Sequence, residues 1–382
     1  MTDYLPYLQQ HRDEMLAFLV RMVEHESPTG DKAAVDRYGA FLCDAYRALG
    51  AAVETVPQEQ YGDHHRIILD PPGGASAGGG QITVLCHLDT VWELGTLATM
   101  PIRAAGNRMY GPGVYDMKGG TMLAYFALRH LREAGLATNR RVVVLLTSDE
   151  EVGSPTSRAL IEEEARKSAY VLCLEGPVAP AGSLNTERKG RGDFTLTIAG
   201  RAAHAGADHA KGISAITELA HQALALAALT DHATGTTVTV GVVRGGTRPN
   251  VVPAEASAAI DLRVATVAEG ERMVAAILGL QPVTPGATVT VTGGMNRQPM
   301  ERTPGVAALF AHARALGAGF GYAVTEIPSG GGSDGQLAAA LGVPVLDGLG
   351  SNGDGAHATD EHILIDAIAP RAALLAALLH TL

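Results

Sequence analysis

The sequence predicts an α/β protein: a mostly parallel sheet covered by helices, with a smaller α+β unit inserted into it. Short apolar runs at residues 82–86, 142–146, 170–174 and 343–346 are the first observation. Helical stretches at 118–136 and 155–168 separate the first three, as a parallel sheet covered on both faces requires. Between about residues 183 and 294 the texture changes to strands of period two. Size is the third observation: 382 residues, 46% hydrophobic and 18% charged, can bury a large core and exclude general disorder.

Taken in order, Leu5, Leu8, Met15, Leu16, Phe18, Leu19 and Met22 recur near helical spacing, so residues 4–25 read as an amphipathic helix. Ser27-Pro28-Thr29-Gly30 breaks it, and a second helix runs from about 32 to 49 and stops at Gly50. His64-His65 reads as a surface loop, the glycine-rich stretch 73–80 as a solvated loop, and the lone Trp92 as a packed residue. In the inserted unit, alternation at 194–198, 237–240, 256–263 and 288–292 predicts strands, with helices at 213–228 and 267–280. The chain then returns to a helix at 306–317, the strand at 343–346 and a helix at 365–382. The expected domains are 1–182 with 295–382, and 183–294.

Lysine plus arginine is 29 and aspartate plus glutamate is 40, a net charge of −11 that argues against nucleic acid or an anionic membrane as partner. Three cysteines cannot build a disulfide framework; Cys86 and Cys173 lie in apolar runs and read as buried thiols. Residues 1–4 show no secretory pattern, and no apolar run reaches the roughly 20 residues of a membrane helix. A cytoplasmic protein is expected.

Sites in parallel sheets form at the carboxyl ends of strands. His87 and Asp89 follow the first run, Asp149, Glu150 and Glu151 the second, and Glu175 the third; Asp354 and His357 lie beyond the fourth. Asp116 sits in a glycine-rich loop, 111–120, that opens a helix. Carboxylates gathered so closely cannot all stay ionised unless a cation neutralises them. Oxygen and imidazole ligands without thiolate suit Zn²⁺, Mn²⁺ or Co²⁺, and two ions bridged by one carboxylate would use this many ligands.

His87-Leu88-Asp89-Thr90-Val91, then Gly111-x-Gly113-x-x-Asp116-x-Lys118-x-Gly120, then Asp149-Glu150-Glu151-x-Gly153 resemble the M20 family of zinc-dependent exopeptidases and amidohydrolases, and within it the glutamate carboxypeptidase group. Ala203-His204-Ala205-Gly206 and Asn250-Val251-Val252-Pro253 match motifs of that family's inserted lid. The resemblance spans nearly the whole chain. It implies a zinc-exopeptidase catalytic domain, a lid that also dimerises the protein, and two Zn²⁺ per subunit, with Co²⁺ or Mn²⁺ as substitutes. Asp116 would bridge the ions, His87 and Glu175 completing one and Glu151 and His357 the other. Asp89 would accept the second ring N–H of His87. Glu150 would be general base and then acid. Adjacent residues of an extended segment diverge, which allows Glu150 and Glu151 different tasks. His204 would reach the oxyanion from the lid of a partner subunit, Asn250 and Arg263 would bind the substrate carboxylate, and the backbone of Gly331 and Gly332 would face it. Glutamate-specific relatives place a lysine shortly after the residue matching Glu175; residues 177–183 contain none.

The implied activity is release of a C-terminal amino acid from a small substrate with a free carboxylate: an N-acyl amino acid, a dipeptide or a folate-like molecule. Deacylation of N-acyl amino acids, of the acetylornithine or succinyl-diaminopimelate type, is the alternative. Two readings of other classes rank lower. Gly331-Gly332-Ser333-Asp334-Gly335 fits a serine-hydrolase elbow, with Asp354 and His357 following in triad order, but leaves His87, Asp116, Glu150, Glu151 and Glu175 unexplained. An inactive binding protein on the same scaffold should have lost a ligand or the base, and every such position is filled. A dinucleotide fingerprint fails because Asp116 replaces its third glycine.

Overall fold

A computed structural model of the chain describes residues 4–71, 79–179 and 182–382. The strand Gln81–His87 lies at the centre of the first unit, parallel to Val142–Thr147 on one side and to Ser168–Cys173 on the other. Val345–Leu346 extends the sheet in parallel beyond Ser168–Cys173. On the far side, His64–Leu69 pairs antiparallel with Val142–Thr147, and Ala52–Val56 antiparallel with His64–Leu69. Every residue of Gln81–His87 and Val142–Thr147 is buried, which is why both read as unbroken apolar runs.

The helices Gly119–Glu133 and Ile368–Thr381 pack together in the same core, with the short helix Leu5–Gln10 against the latter. Ile368–Thr381 is apolar all round and almost wholly buried, as a core helix must be. Its one guanidinium, Arg371, is buried too and donates to Gly182 O at 3.0 Å and to the Tyr322 hydroxyl at 3.3 Å. The expected helix over 4–25 is two, Leu5–Gln10 and Arg12–Glu24, and Lys32–Ala48 follows with an Asp31 cap on Ala34 N. His64 and His65 are buried strand residues, not a surface loop: His64 bridges Ser148 Oγ and Thr156 Oγ1, both at 3.0 Å, and His65 meets Thr55 Oγ1 at 3.1 Å. Of the glycine-rich stretch, residues 73–78 lie outside the described residues, and Gly79 and Gly80 form a bend.

The second unit comprises Arg188–Glu301 with Gly330–Gly332. Its four-stranded antiparallel sheet has the order Thr237–Gly245, Glu255–Val264, Gly190–Ala199, Thr288–Arg297. Phe194, Leu196, Ile198, Ile260 and Leu262 on one face form a core with Leu219 and Leu226 of Ala215–Ala227 and Met273 and Ile277 of Val267–Leu278. The division falls at 187/188 and 301/302, a few residues beyond the expected cuts. Leu184–Arg188 pairs with Glu326–Ser329, which holds its start in the first unit. Thr288–Arg297 keeps pairing with Gly190–Ala199 as far as Arg297, past the expected cut at 294.

Glu218, fully buried on Ala215–Ala227, accepts from Gln222 Nε2 at 2.6 Å, Thr284 N at 2.6 Å and Val283 N at 3.0 Å. Burial pushes its carboxyl up, and the donors from Thr284, Gln222 and Val283 outweigh burial and hold it at about 2. A depressed folded pKa adds stability above the unfolded value that is lost as pH falls through the folded one. Glu218→Gln should therefore remove an acid limb between about pH 4.5 and 2, worth on the order of 3 kcal/mol. Hydrogen exchange of residues 215–227 against pH checks it; identical exchange in wild type and variant at pH 7 would refute it.

Candidate functional site

Parallel pairing brings three strand ends side by side, and with them the polar residues that follow. His87 is the last residue of its strand. Its Nδ1–H donates to the Asp89 backbone carbonyl at 2.8 Å, so in the neutral ring the lone pair is on Nε2. Nε2 faces Asp116 Oδ1 at 3.0 Å and Glu175 Oε1 at 3.6 Å. The expected contact of this ring with the Asp89 carboxylate is longer, 3.5 Å. The buried carboxylate instead accepts from Thr29 Oγ1 at 2.9 Å, Glu151 N at 3.2 Å and Glu150 N at 3.3 Å. Asp89 thus fixes the backbone of both glutamates.

Glu150 and Glu151 begin one turn of 3₁₀ helix, Glu150–Val152, rather than an extended segment. The turn rotates adjacent side chains by about 120°, and this separates them. Asp116 lies in the loop before Gly119–Glu133, followed by a cis peptide to Met117. Gly113 has φ +71°, and a Cβ there would meet Thr90 Cγ2 at 2.8 Å. A Cβ on Gly120 would stand 2.1 Å from Leu174 O, so glycine lets the helix approach the segment that carries Glu175. His357 sits at φ +61° in the turn between Gly353–Asp354 and His362–Leu364, half-exposed. Its Nε2 is 3.3 Å from Asp116 Oδ2 and 3.1 Å from Glu151 Oε2.

The two oxygens of Asp116 therefore face two different histidines, each with a glutamate beside it. Ligand atoms of His87, Asp116 and Glu151 lie within 4.8 Å of one another, as do those of His87, Glu150 and Glu175. Glu151 Oε1 is buried with no hydrogen-bond partner. Burial, then the charge of Asp334, pushes Glu150 up to about 8, and burial with the Asp116 charge raises Glu175 well above the carboxylate range. His87 is raised against its burial by Asp116 and Asp89, and hydrogen bonds donated to Asp116 and Glu151 raise His357 to about 10. An imidazole lone pair aimed at carboxylates, an orphaned buried oxygen and four clustered carboxylates fit two divalent cations held by nitrogen and oxygen alone.

Sequence reasoning missed Glu361. Its buried carboxylate accepts from Gly113 N, Tyr115 N, Asp116 N and Trp92 Nε1, at 2.8 to 3.0 Å. Burial pushes this carboxyl up to about 7, and the donors act against burial. Its nearness in sequence to His357 was the one available signal. Lys118 is buried as well, donating to His25 O at 2.7 Å and Met22 O at 3.2 Å beneath the Tyr38 ring.

Ser333 does not form an elbow. It is fully buried, donates to Asp347 Oδ2 at 2.5 Å and accepts from Gly335 N at 3.2 Å, while His357 is engaged by Asp116 and Glu151.

His204, Asn250, Arg263, Gly331 and Gly332 belong to the second unit. The Asn250 carbonyl accepts from Ala205 N at 3.0 Å, which brings the His204 and Asn250 segments together. The exposed His204 accepts on Nδ1 from Ala207 N at 3.0 Å and Gly206 N at 3.1 Å, leaving Nε2 to carry the proton in the neutral ring. Arg263 is paired with Asp261 at 2.9 Å and reaches Gly330 O at 3.5 Å. The carbonyls of Gly331 and Gly332 accept from Arg188 Nη1 at 3.2 and 3.4 Å.

Residues 84–381 match the model of peptidase family M20/M25/M40. The chain is 32% identical to carboxypeptidase G2 of Pseudomonas sp. (strain RS-16) over 94% of its length and 86% of that protein. It is 31% identical to a succinyl-diaminopimelate desuccinylase of Verminephrobacter eiseniae, over 70% of this chain and 68% of that one. In fold it resembles the YXEP protein of Bacillus subtilis, described as a dinuclear metal binding peptidase, with TM-score 0.71 and 15% identity over 97% of this chain and 98% of the other.

Proposed function

Because the chain belongs to peptidase family M20/M25/M40, a family of hydrolytic metalloenzymes, we propose that it is a metal-dependent carboxypeptidase that releases a C-terminal amino acid from a small substrate with a free carboxylate. The observation that carries the hydrolytic centre is Asp116, whose two oxygens face His87 and His357 separately. Similarity to carboxypeptidase G2 along nearly the whole chain supports C-terminal release. The desuccinylase similarity keeps N-acyl-amino-acid deacylation as the second reading.

His87, Asp116 and Glu175 would hold one Zn²⁺, and Asp116, Glu151 and His357 the other, with Co²⁺ or Mn²⁺ as substitutes. Bound there, the ions would polarise the scissile carbonyl and lower the pKa of water. Glu150 takes a proton from the attacking water and returns it to the leaving amine nitrogen. Asp89 holds Glu150 in place through its backbone N–H. His204 from the lid of a partner subunit donates Nε2–H to the developing oxyanion, and Asn250, Arg263 and the backbone at Gly331 and Gly332 bind the substrate carboxylate.

The second unit acts as lid and dimerisation domain. Thr237–Gly245 is an edge strand of its sheet and exposes Val242 and Val243, and the neighbouring helix exposes Leu224, a surface suited to a second copy of this chain. Sedimentation should give twice the chain's 39.5 kDa. The three cysteines are free and buried, which fits a reducing cytoplasm. Among the described residues no helix is long and apolar enough to cross a membrane.

The test is a panel of dipeptides and N-acyl amino acids assayed after chelation and again with Zn²⁺, Co²⁺ or Mn²⁺. Hydrolysis that survives complete chelation would overturn the reading, and turnover confined to N-acyl amino acids would move it to deacylation. Arg263→Ala should lower kcat/KM by roughly 10–100-fold, for a charge-assisted contact worth about 1.5–3 kcal/mol. The loss should be large on substrates with a free carboxylate and small on their amides. Equal losses would make Arg263, through Asp261, a support of its own strand.

A further inference from the structure

We propose that Glu361 is the positioning residue that locks the Asp116 loop to the His357 turn and so sets the spacing of the two cation positions; this rests on the metal-dependent reading above. Each oxygen of its carboxylate takes two donors. Oε1 accepts from Tyr115 N at 2.9 Å and Asp116 N at 3.0 Å, and Oε2 from Trp92 Nε1 at 2.8 Å and Gly113 N at 2.9 Å. Four N–H donors fill the acceptor capacity of one carboxylate. Three of them are backbone groups converging on a single anion.

Its main chain closes the same junction. The Glu361 carbonyl accepts from Gly111 N at 3.3 Å, and its N–H donates to Ala358 O at 3.0 Å, the residue after His357. The segments that carry Asp116 and His357, 241 residues apart in sequence, thus meet at one buried side chain. With the Asp116 N–H held, the direction of that side chain is set, and its oxygens stand at 3.0 Å from His87 Nε2 and 3.3 Å from His357 Nε2. An amide at 361 offers one acceptor and an NH₂ that opposes the N–H donors, leaving buried donors unpaired. The clamp also has its own reporter, because Trp92 is the only tryptophan in the chain.

The experiment titrates the full-length apoprotein with Zn²⁺ by calorimetry, for wild type, Glu361→Gln and Glu361→Asp, alongside tryptophan emission and steady-state kinetics. Wild type should bind two Zn²⁺. Glu361→Gln, with an unchanged far-ultraviolet spectrum, should bind the weaker Zn²⁺ about 10–100-fold less tightly and keep the tighter one. It should also shift Trp92 emission, and lower kcat while KM stays within about twofold. Glu361→Asp, whose shorter arm keeps the charge, should lie between; should Glu361→Gln not fold, wild-type affinity for both ions in Glu361→Asp would overturn the proposal. A Glu361→Gln protein that binds both ions as wild type does, beside a wild type with two, overturns this inference alone. A wild type that binds no Zn²⁺ overturns the metal centre, and this inference with it.

Discussion

Glu150→Gln is expected to keep both metal ions and lose roughly 10²–10⁴-fold in kcat, the range for removing a general base. The substitution keeps the shape of the side chain and the backbone N–H that Asp89 accepts at 3.3 Å, so the turn that carries Glu151 should be undisturbed. What goes is the capacity to take a proton from water and return it to the departing nitrogen. Burial and the Asp334 charge already make Glu150 a costly place for a fixed negative charge. An amide there relieves that cost, so thermal stability should hold or rise as activity falls. This pattern, less activity without less stability, separates a base from a support. Because Glu150 also stands near His87 and Glu175, metal content has to be measured in the same sample. If Glu150→Gln loses an ion, Glu150 is a ligand, and the base must be sought among Glu151 and Glu175.

The sequence carried the centre of the sheet and lost the edge formed by Ala52–Val56 and His64–Leu69, for one physical reason. Gln81–His87 and Val142–Thr147 are buried on both faces and show as apolar runs. Ala52–Val56 is half open to solvent, and His64–Leu69 begins with two polar residues. His64 is buried with both ring nitrogens partnered, by Ser148 and Thr156, and His65 with Thr55 on Nδ1, and those partners come from elsewhere in the chain. The same distinction applies at the site. Residues that end strands could be placed by counting from the runs, and His87, Glu150, Glu151 and Glu175 do converge. Glu361 could not be placed that way, since its role lies in backbone donors some 245 residues away. The His87 ring meets both groups of Asp89, the carbonyl at 2.8 Å and the carboxylate at 3.5 Å. Spacing alone cannot tell whether a ring meets the carbonyl or the carboxylate of a residue two positions on.

Asp116→Asn should abolish measurable hydrolysis and leave no more than one metal ion per chain, an effect beyond the roughly 10–100-fold expected of a residue outside the ligand set. An asparagine keeps one acceptor oxygen but turns an NH₂ toward the other histidine, so it can serve one ion and not two. The variant also breaks the ion pairs that hold the Asp116 carboxyl low against its burial, with His357 and His87 as partners. Some loss of folding stability in the metal-free protein is therefore expected whatever Asp116 does for metal. The decisive quantity is the shift in Tm that saturating Zn²⁺ produces within each protein, because the cost of the broken pairs cancels in that difference. An ion that binds only the folded state adds about 2.7 kcal/mol at 100 times its Kd. Wild type should gain from both ions, and Asp116→Asn from one at most. A Zn²⁺-induced Tm shift in Asp116→Asn equal to that of wild type would show that the ions do not share this carboxylate. The two histidines would then be held by Asp116 as a structural ion-pair network, and the hydrolytic centre would have to be sought elsewhere.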